Sequence, residues 1–141
     1  MPRIVVGVDG SETARAALVW AYDEARRRGA TVDVVHAWHV PYVGGLPYAT
    51  AELHADVFEE DARLILDNAV GSADATGIPA VERVLVHDSP GRALLGVAKG
   101  ADLLVVGSRG RGGFTGLLLG SVSQQVVHHA DCPVVVIPPA P

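Results

Sequence analysis

Apolar stretches alternate with polar turns along the whole chain, and their spacing predicts strands and helices in turn. The predicted strands are Ile4–Val8, Val32–Ala37, Val81–His87, Asp102–Val106 and Pro133–Ile137. The first of these is continuously apolar, which is typical of a strand covered on both faces of a sheet. Strands that alternate with helices predict the α/β class, with an open five-stranded parallel sheet and helices on both faces.

Apolar residues at helical spacing predict four helices between these strands. The predicted helices begin after Ser11, cover Ala51–Ala75, begin at Pro90 and cover Gly120–His129. The hydroxyl of Ser11 suits an N-cap, and Gly29 suits the end of the same helix. In contrast, the segment Trp38–Thr50 holds two prolines, two glycines and two tyrosines and predicts no regular element. Long loops in compact domains are usually functional or disordered. The Pro, Gly and Tyr content favours a flap that becomes ordered on ligand binding.

Composition limits the class of protein. The chain has 141 residues, 49% apolar and 19% charged, which predicts one globular domain over residues 1–141. A net charge of −5 argues against nucleic-acid and anionic-membrane partners, which require a basic face. No apolar run approaches the roughly 20 residues of a membrane span, and the first residues do not resemble a signal peptide. With Cys132 as the single cysteine, these features predict a cytoplasmic protein.

Two polar turns follow the first and fourth predicted strands, at Asp9-Gly10-Ser11 and Gly107-Ser108-Arg109-Gly110. Ligands of parallel sheets bind outside the carboxyl ends of the strands, where the strand order reverses, so we expect both turns at that point. The glycines suggest positive φ and close approach of a ligand to the backbone. A helix that opens on Gly120-Ser121 offers free N–H donors, a hydroxyl and a positive dipole end. Together these features predict a phosphate site.

Two common phosphate-binding motifs do not fit this loop. A P-loop requires Gly-x4-Gly-Lys-Ser/Thr, whereas the only lysine, Lys99, precedes the loop. A dinucleotide fingerprint requires a third glycine where Thr115 stands, and only one further strand follows the loop.

The spacing Gly107-x2-Gly110-x9-Gly120-Ser121 resembles the nucleotide-binding signature of the ATP-binding branch of the universal stress protein family. The resemblance extends along the chain through Ile4–Ser11, Val35-His36-Ala37 and Cys132–Ile137. It implies a Rossmann-like fold of the adenine nucleotide alpha hydrolase type. It also implies an ATP-binding stress-response regulator that takes ATP together with magnesium.

The same resemblance implies how ATP is held. Gly107, Gly110 and the loop after them wrap the phosphates, and Gly120–Ser123 close the other side. Asp9 lies by the ribose and the metal-bound phosphates, which makes it the candidate carboxylate near magnesium. The predicted binding residues are Gly7, Asp9, Ser11, Ala37, Gly107, Ser108, Arg109, Gly110, Arg111, Gly112, Gly113, Gly120, Ser121, Val122 and Ser123. Of these, Gly7 and Ala37 flank the adenine, and the two arginines add positive charge.

Other readings of the sequence remain open. The histidines, among them the pairs His36/His39 and His128/His129, form no grouping of three metal ligands, so we expect no dedicated transition-metal site. Cys132 before a buried strand is expected to act as a small buried hydrophobe. No catalytic constellation is evident, since the chain has no Gly-x-Ser-x-Gly elbow and no lysine in the site. Asp9-Gly10-Ser11-Glu12 stands where related nucleotidyl transferases carry His-x-Gly-His, which counts against transfer chemistry. A slow ATPase or nucleotidyl-transfer enzyme and a nucleotide-free interaction module remain alternatives to the ATP-binding regulator.

The last predicted strand indicates how the chain associates. Val134–Ile137 is a run of β-branched residues without charge. The resemblance places this strand at an edge of the sheet, where an open apolar strand invites aggregation unless it is covered or paired. We therefore expect a homodimer through Pro133–Ile137.

Overall fold

The computed structural model describes residues 1–39, 42–43, 46–47, 51–110 and 119–139. The strands are β1 (Arg3–Gly7), β2 (Thr31–Trp38), β3 (Tyr42–Val43), β4 (Leu46–Pro47), β5 (Val81–His87), β6 (Leu103–Gly107) and β7 (Val134–Ile137). The helices are α1 (Glu12–Arg28), α2 (Ala51–Gly71), α3 (Pro90–Val97) and α4 (Ser121–His129). Most predicted bounds therefore hold within one residue.

Five strands form one parallel sheet in the order β5-β2-β1-β6-β7, which confirms the predicted fold class. The chain runs outward from β1 through β2 to β5, and then returns to the other side of β1 with β6 and β7. The order therefore reverses between β1 and β6, whose residues Ile4 and Leu103 lie side by side. This confirms that the first and fourth predicted strands meet at the reversal.

Two apolar cores cover the two faces of the sheet. One core packs α1 and α2 against alternate residues of the central strands, such as Ile4 and Val6. The other packs α3 and α4 against the intervening residues, such as Val5 and Val35. Successive side chains of a strand point to opposite faces, so a strand buried on both faces must be apolar throughout. This explains the continuous apolar run of β1.

The ends of α1 are those that the sequence predicts. The Ser11 hydroxyl accepts a hydrogen bond from the Ala14 N–H at 3.2 Å. Gly29 follows the last helical residue with φ of 64°, in the left-handed conformation. Glycine pays no Cβ penalty there, which is why it ends helices so often.

Two predictions about the middle of the chain were wrong. Helix α2 ends at Gly71 rather than Ala75, because Ser72 bonds the Ala69 carbonyl at 2.7 Å and Asp74 forms a separate turn with Thr76. The segment after Ala37 is also not wholly irregular. Trp38 is the last residue of β2, and β3 and β4 pair antiparallel as a short hairpin. Residues 40–41, 44–45 and 48–50 of the predicted flap lie outside the described residues, and its closure on a ligand stays a prediction.

Trp38 does not share a face with Ala37. It stacks on His87 of β5, with ring centroids 4.0 Å apart and an interplanar angle of 5°. Strand alternation puts this pair on the face that α1 and α2 cover.

In the described part of the chain, none of the helices combines the length and apolar character needed to cross a membrane.

Alanine substitutions at Gly29 and Gly96 test whether the left-handed backbone at the end of α1 requires glycine. A Cβ at either position would meet no atom within 4 Å, but only Gly29 has positive φ. We expect Gly29→Ala to lower the free energy of unfolding by about 1 kcal/mol, through backbone strain alone. Gly96→Ala, inside α3, should raise it by up to about 1 kcal/mol, through helix propensity. Urea denaturation measures both, and equal effects would contradict the assignment of strain to Gly29.

Candidate functional site

A cavity of about 470 Å³ opens at the carboxyl ends of β1 and β6, where the strand order reverses. Its volume falls in the range of small-molecule sites, which is roughly 300–1,000 Å³. The residues that line it are Gly7, Val8, Asp9, Ala14, Val35, Ala37, Pro90, Leu94, Val106, Gly107, Arg109, Gly110, Gly120, Ser121, Val122 and Ser123. The cavity has an apolar part and a polar part, which come from different elements.

The apolar part lies against β2, α3 and β6. Val35 and Ala37 of β2 share it with Leu94 of α3 and Val106 of β6. Gly7 makes this packing close, because a Cβ there would lie 2.8 Å from the Leu94 side chain. The apolar part is therefore bounded by Leu94, which packs over Gly7, and by the small side chain of Ala37.

The polar part begins where the turns after β1 and β6 face each other. The Asp9 carboxylate accepts a hydrogen bond from the Ser11 N–H at 2.9 Å. Its other oxygen lies so near Gly110 that a Cβ built there would come within 2.7 Å of it. Asp9 and Arg109 are the charged residues among the described lining. The two turns that the sequence singled out are therefore in direct proximity.

Helix α4 supplies the rest of the polar part. Gly120 is its N-cap, with extended backbone, and no described side chain caps the helix. The Ser123 hydroxyl donates instead to backbone carbonyls, at 2.9 Å from Ser108 O and 3.0 Å from Gly120 O. This ties the start of α4 to the loop after β6. The first turn of α4, whose amides have no partner inside the helix, lines this part of the cavity.

Ser108 carries a buried hydroxyl without a partner among the described residues. The residue is 4% exposed, and its own backbone N–H donates to the Ile137 carbonyl at 2.8 Å. A buried hydroxyl without a hydrogen bond is costly, at about 1–3 kcal/mol on protein scales.

Ten of the predicted binding residues line the cavity: Gly7, Asp9, Ala37, Gly107, Arg109, Gly110, Gly120, Ser121, Val122 and Ser123. Ser11 does not, because it caps α1 and lines a separate cavity of about 350 Å³ between α1 and α2. Ser108, which is buried, is not among the lining residues either. The predicted residues Arg111, Gly112 and Gly113 lie outside the described residues.

Sequence reasoning missed the lining residues contributed by α1, by α3, by the strands β2 and β6, and by Val8 just after β1. These are Val8, Ala14, Val35, Pro90, Leu94 and Val106. Their apolar character was visible, but it is the same as that of any core residue. Only the packing of α3 beside β1 distinguishes Pro90 and Leu94 from the rest.

The glycines do not have the backbone conformation that the sequence suggested. Positive φ occurs after β1 at Gly10, with φ of 85°, and at none of Gly107, Gly110 and Gly120. Gly107 instead allows close packing on α1, because a Cβ there would lie 2.8 Å from the Thr13 side chain and 3.1 Å from its backbone. A Cβ at Gly120 would be in ordinary contact, 3.4 Å from Ser108 O.

The titratable groups of the described residues form no metal centre of their own. No three His, Cys, Asp or Glu side chains in that part of the chain are grouped to hold an ion. Cys132 is only half-buried, beside the core under α4, and burial raises the pKa of its thiol. The thiol therefore stays protonated at neutral pH, which disfavours nucleophilic reactivity.

Comparison with known proteins identifies the class that this fold and cavity define. The model of the universal stress protein family matches residues 1–138, so the chain belongs to that family. Universal stress protein Rv2005c of Mycobacterium tuberculosis is 42% identical over 134 residues, or 94% of this chain and 44% of that protein. The chain thus spans less than half the length of this relative.

Two solved structures of the family carry nucleotides. A universal stress protein in complex with cAMP is 30% identical, with a TM-score of 0.69 over 96% of this chain and 95% of that one. The universal stress protein from Archaeoglobus fulgidus in complex with dAMP is 25% identical, with a TM-score of 0.62 over 97% of each chain. The family resemblance predicted from the sequence is therefore confirmed.

A side chain at Gly107 would clash with Thr13, whereas one at Gly120 would have room. Substitution of each glycine by serine tests this difference. We expect Gly107→Ser to lower the free energy of unfolding by about 1–3 kcal/mol, because its Cβ would lie 2.8 Å from the Thr13 side chain and 3.1 Å from the Thr13 backbone. Gly120→Ser should stay within about 0.5 kcal/mol of the native chain, because serine is a good N-cap and its Cβ has room. Thermal and urea unfolding measure both. Equal losses would show that Gly120 is also packed too tightly for a side chain.

Proposed function

We propose that this chain is an ATP-binding universal stress protein whose nucleotide occupancy regulates a cytoplasmic stress response. The observation that carries the proposal is the cavity at the strand reversal, with an apolar part beside β2 and α3 and the open amides of α4 opposite. An adenine ring and a phosphate chain need these two environments side by side. Family members in complex with cAMP and dAMP support an adenine nucleotide as the ligand.

In the proposed complex, adenine lies between Gly7 and Ala37, in the apolar part. The phosphates lie against Gly107, Gly110 and the first turn of α4, where backbone N–H groups and the helix dipole favour negative charge. Arg109 adds a cation to this side of the cavity.

Asp9 explains why magnesium fits this site. Its carboxylate lies on the same polar wall as the proposed phosphates, and two like charges at short range repel each other. Magnesium is usually held by one or two carboxylates together with substrate phosphates, and it keeps several of its waters. Asp9 is therefore the residue that would hold magnesium with the phosphates, and the ion would neutralise the charge between them.

The described lining favours binding over turnover. Efficient hydrolysis needs a positioned base for the attacking water. Asp9 is the only carboxylate among the described lining residues, which include no histidine or lysine, and in the proposed complex it is engaged with the metal. We infer that hydrolysis, where it occurs, is slow.

Gly120→Val tests ATP binding directly. The added methyl groups would project where the phosphates approach α4, so we expect ATP affinity to fall by about a hundredfold or more, which is roughly 2.7 kcal/mol. Calorimetric titration with ATP and magnesium measures this. Gly96→Val is the matched control, because Gly96 lies on the open face of α3 with no atom near its Cβ position.

Circular dichroism must show that both variants are folded. Unchanged ATP affinity in folded Gly120→Val would overturn the phosphate assignment. Mass spectrometry of the purified protein adds a second measurement, because co-purified ATP supports the regulator and ADP alone supports hydrolysis. Absence of adenine nucleotide together with no calorimetric binding would support the nucleotide-free interaction module.

We also propose that the chain forms a homodimer through β7. This strand lies at the edge of the sheet, and all four of its apolar residues are only half-buried. The carbonyls of Pro133 and Ile137 accept from the N–H groups of Leu104 in β6, at 3.0 Å, and of Ser108 just after it, at 2.8 Å. Backbone direction alternates along a strand, so the N–H and C=O groups of Val134 and Val136 point away from β6. A second copy of β7 satisfies these groups around a two-fold axis.

Val134→Pro should separate such a dimer without breaking the sheet. It removes one outward N–H and leaves the bonds to β6 intact, which is the position where an edge strand tolerates proline. Sedimentation should give twice the chain mass of 14.7 kDa for the native chain and for Val134→Ala, which keeps the N–H. Val134→Pro should sediment as a monomer. A native chain that is monomeric at high concentration would contradict the dimer.

A further inference from the structure

The buried imidazole of His36 is hydrogen-bonded to the backbone just after the end of β1. The residue is 8% exposed, and its Nδ1 lies 2.8 Å from the Val8 carbonyl oxygen. A carbonyl only accepts hydrogen bonds, so Nδ1 carries the proton and donates. His36 does not line the nucleotide cavity. Strand alternation puts its side chain on the opposite face of β2 from Val35 and Ala37, which do line it.

This hydrogen bond stands where the β1–β2 ladder stops. The Val8 N–H still donates to the Val35 carbonyl at 2.9 Å, as the parallel register requires. In a continued parallel ladder, the Val8 carbonyl would next accept from the Ala37 N–H. The His36 imidazole is the donor to that carbonyl instead. The chain then leaves the sheet, and Gly10 turns it with φ of 85°.

The orientation of the Val8 carbonyl fixes the orientation of the Asp9 backbone. The Val8 carbonyl and the Asp9 N–H belong to one planar peptide group, so a bond that fixes the first fixes the second. From there the Asp9 carboxylate reaches the Ser11 N–H at 2.9 Å and the neighbourhood of Gly110.

We infer that His36 is a positioning residue for the nucleotide site, whose Nδ1–H holds the Val8–Asp9 peptide so that the Asp9 carboxylate faces the ligand. The expected effect of His36 on ATP binding rests on the proposed function, whereas its expected effect on the position of Asp9 does not. An apolar side chain at position 36 fills the same space in the core without donating. It therefore leaves the Val8 carbonyl free to continue the ladder with Ala37.

Three variants separate donation from packing. His36→Leu and His36→Val keep an apolar body and lose the donor. His36→Asn places its side-chain N–H close to where Nδ1 stands, and so restores the donor at the cost of volume. With ATP and magnesium, we expect affinity to fall about tenfold or more in the apolar variants and to stay within about threefold in His36→Asn.

A double-mutant cycle with Asp9→Ala tests whether His36 acts through Asp9. Residues that act through one contact give non-additive effects. We expect His36→Leu to cost little further affinity when Asp9 is already alanine. Full additivity would overturn the inference, because it would mean that His36 affects binding by another route.

The Ser11 amide gives a measurement that needs no ligand. Its N–H donates to the Asp9 carboxylate, so its hydrogen exchange in the nucleotide-free protein reports the position of Asp9. We expect exchange to accelerate in Asp9→Ala, His36→Leu and His36→Val, and to stay near native in His36→Asn. Native exchange in the folded apolar variants would refute the positioning role. A native chain that binds no ATP while these exchange rates change as expected would refute the proposed function alone.

Discussion

The reversal of strand order between β1 and β6 is the constraint on which the site depends. The two strands are neighbours, but the chain leaves them for opposite faces of the sheet. It continues from β1 into α1, on the face of the first core, and after β6 into α4, on the face of the second. A gap opens between the carboxyl ends of the two strands. The cavity is that gap, and its composition follows from the residues that happen to end each strand and begin each helix.

The same residue type serves different purposes around this gap. Gly7 and Gly107 are places where two elements pack too closely for a Cβ, against Leu94 of α3 and Thr13 of α1. Gly120 has room for a Cβ on the protein side, so its openness is useful only to something that enters the cavity. A glycine signature is therefore a mixture of packing and binding requirements. The spacing of such a signature is set by the fold as much as by the ligand.

Local chemistry made much of the fold predictable. Ser11 and Gly29 end α1 as their types suggest, and the apolar run of β1 indicated a strand covered on both faces. The proximity of Asp9 to the loop after β6 was also predictable from the sequence, because the carboxyl ends of parallel strands lie at one edge of the sheet.

Contacts between distant residues were not predictable in the same way. The bond from His36 to Val8 spans two strands, and a histidine on a strand has no local pattern that reveals a backbone partner. The small hairpin of β3 and β4 was hidden by prolines and glycines, which suggest turns more strongly than strands.

In the proposed site, the carboxylate of Asp9 has the most exacting position, since it must accept magnesium with a triphosphate and repel the same phosphates without it. A monophosphate carries less charge toward Asp9, so its binding depends less on the metal. In the proposed site, selectivity among adenine nucleotides would thus depend on one carboxylate, which we infer is positioned by the backbone turn and by the His36 imidazole.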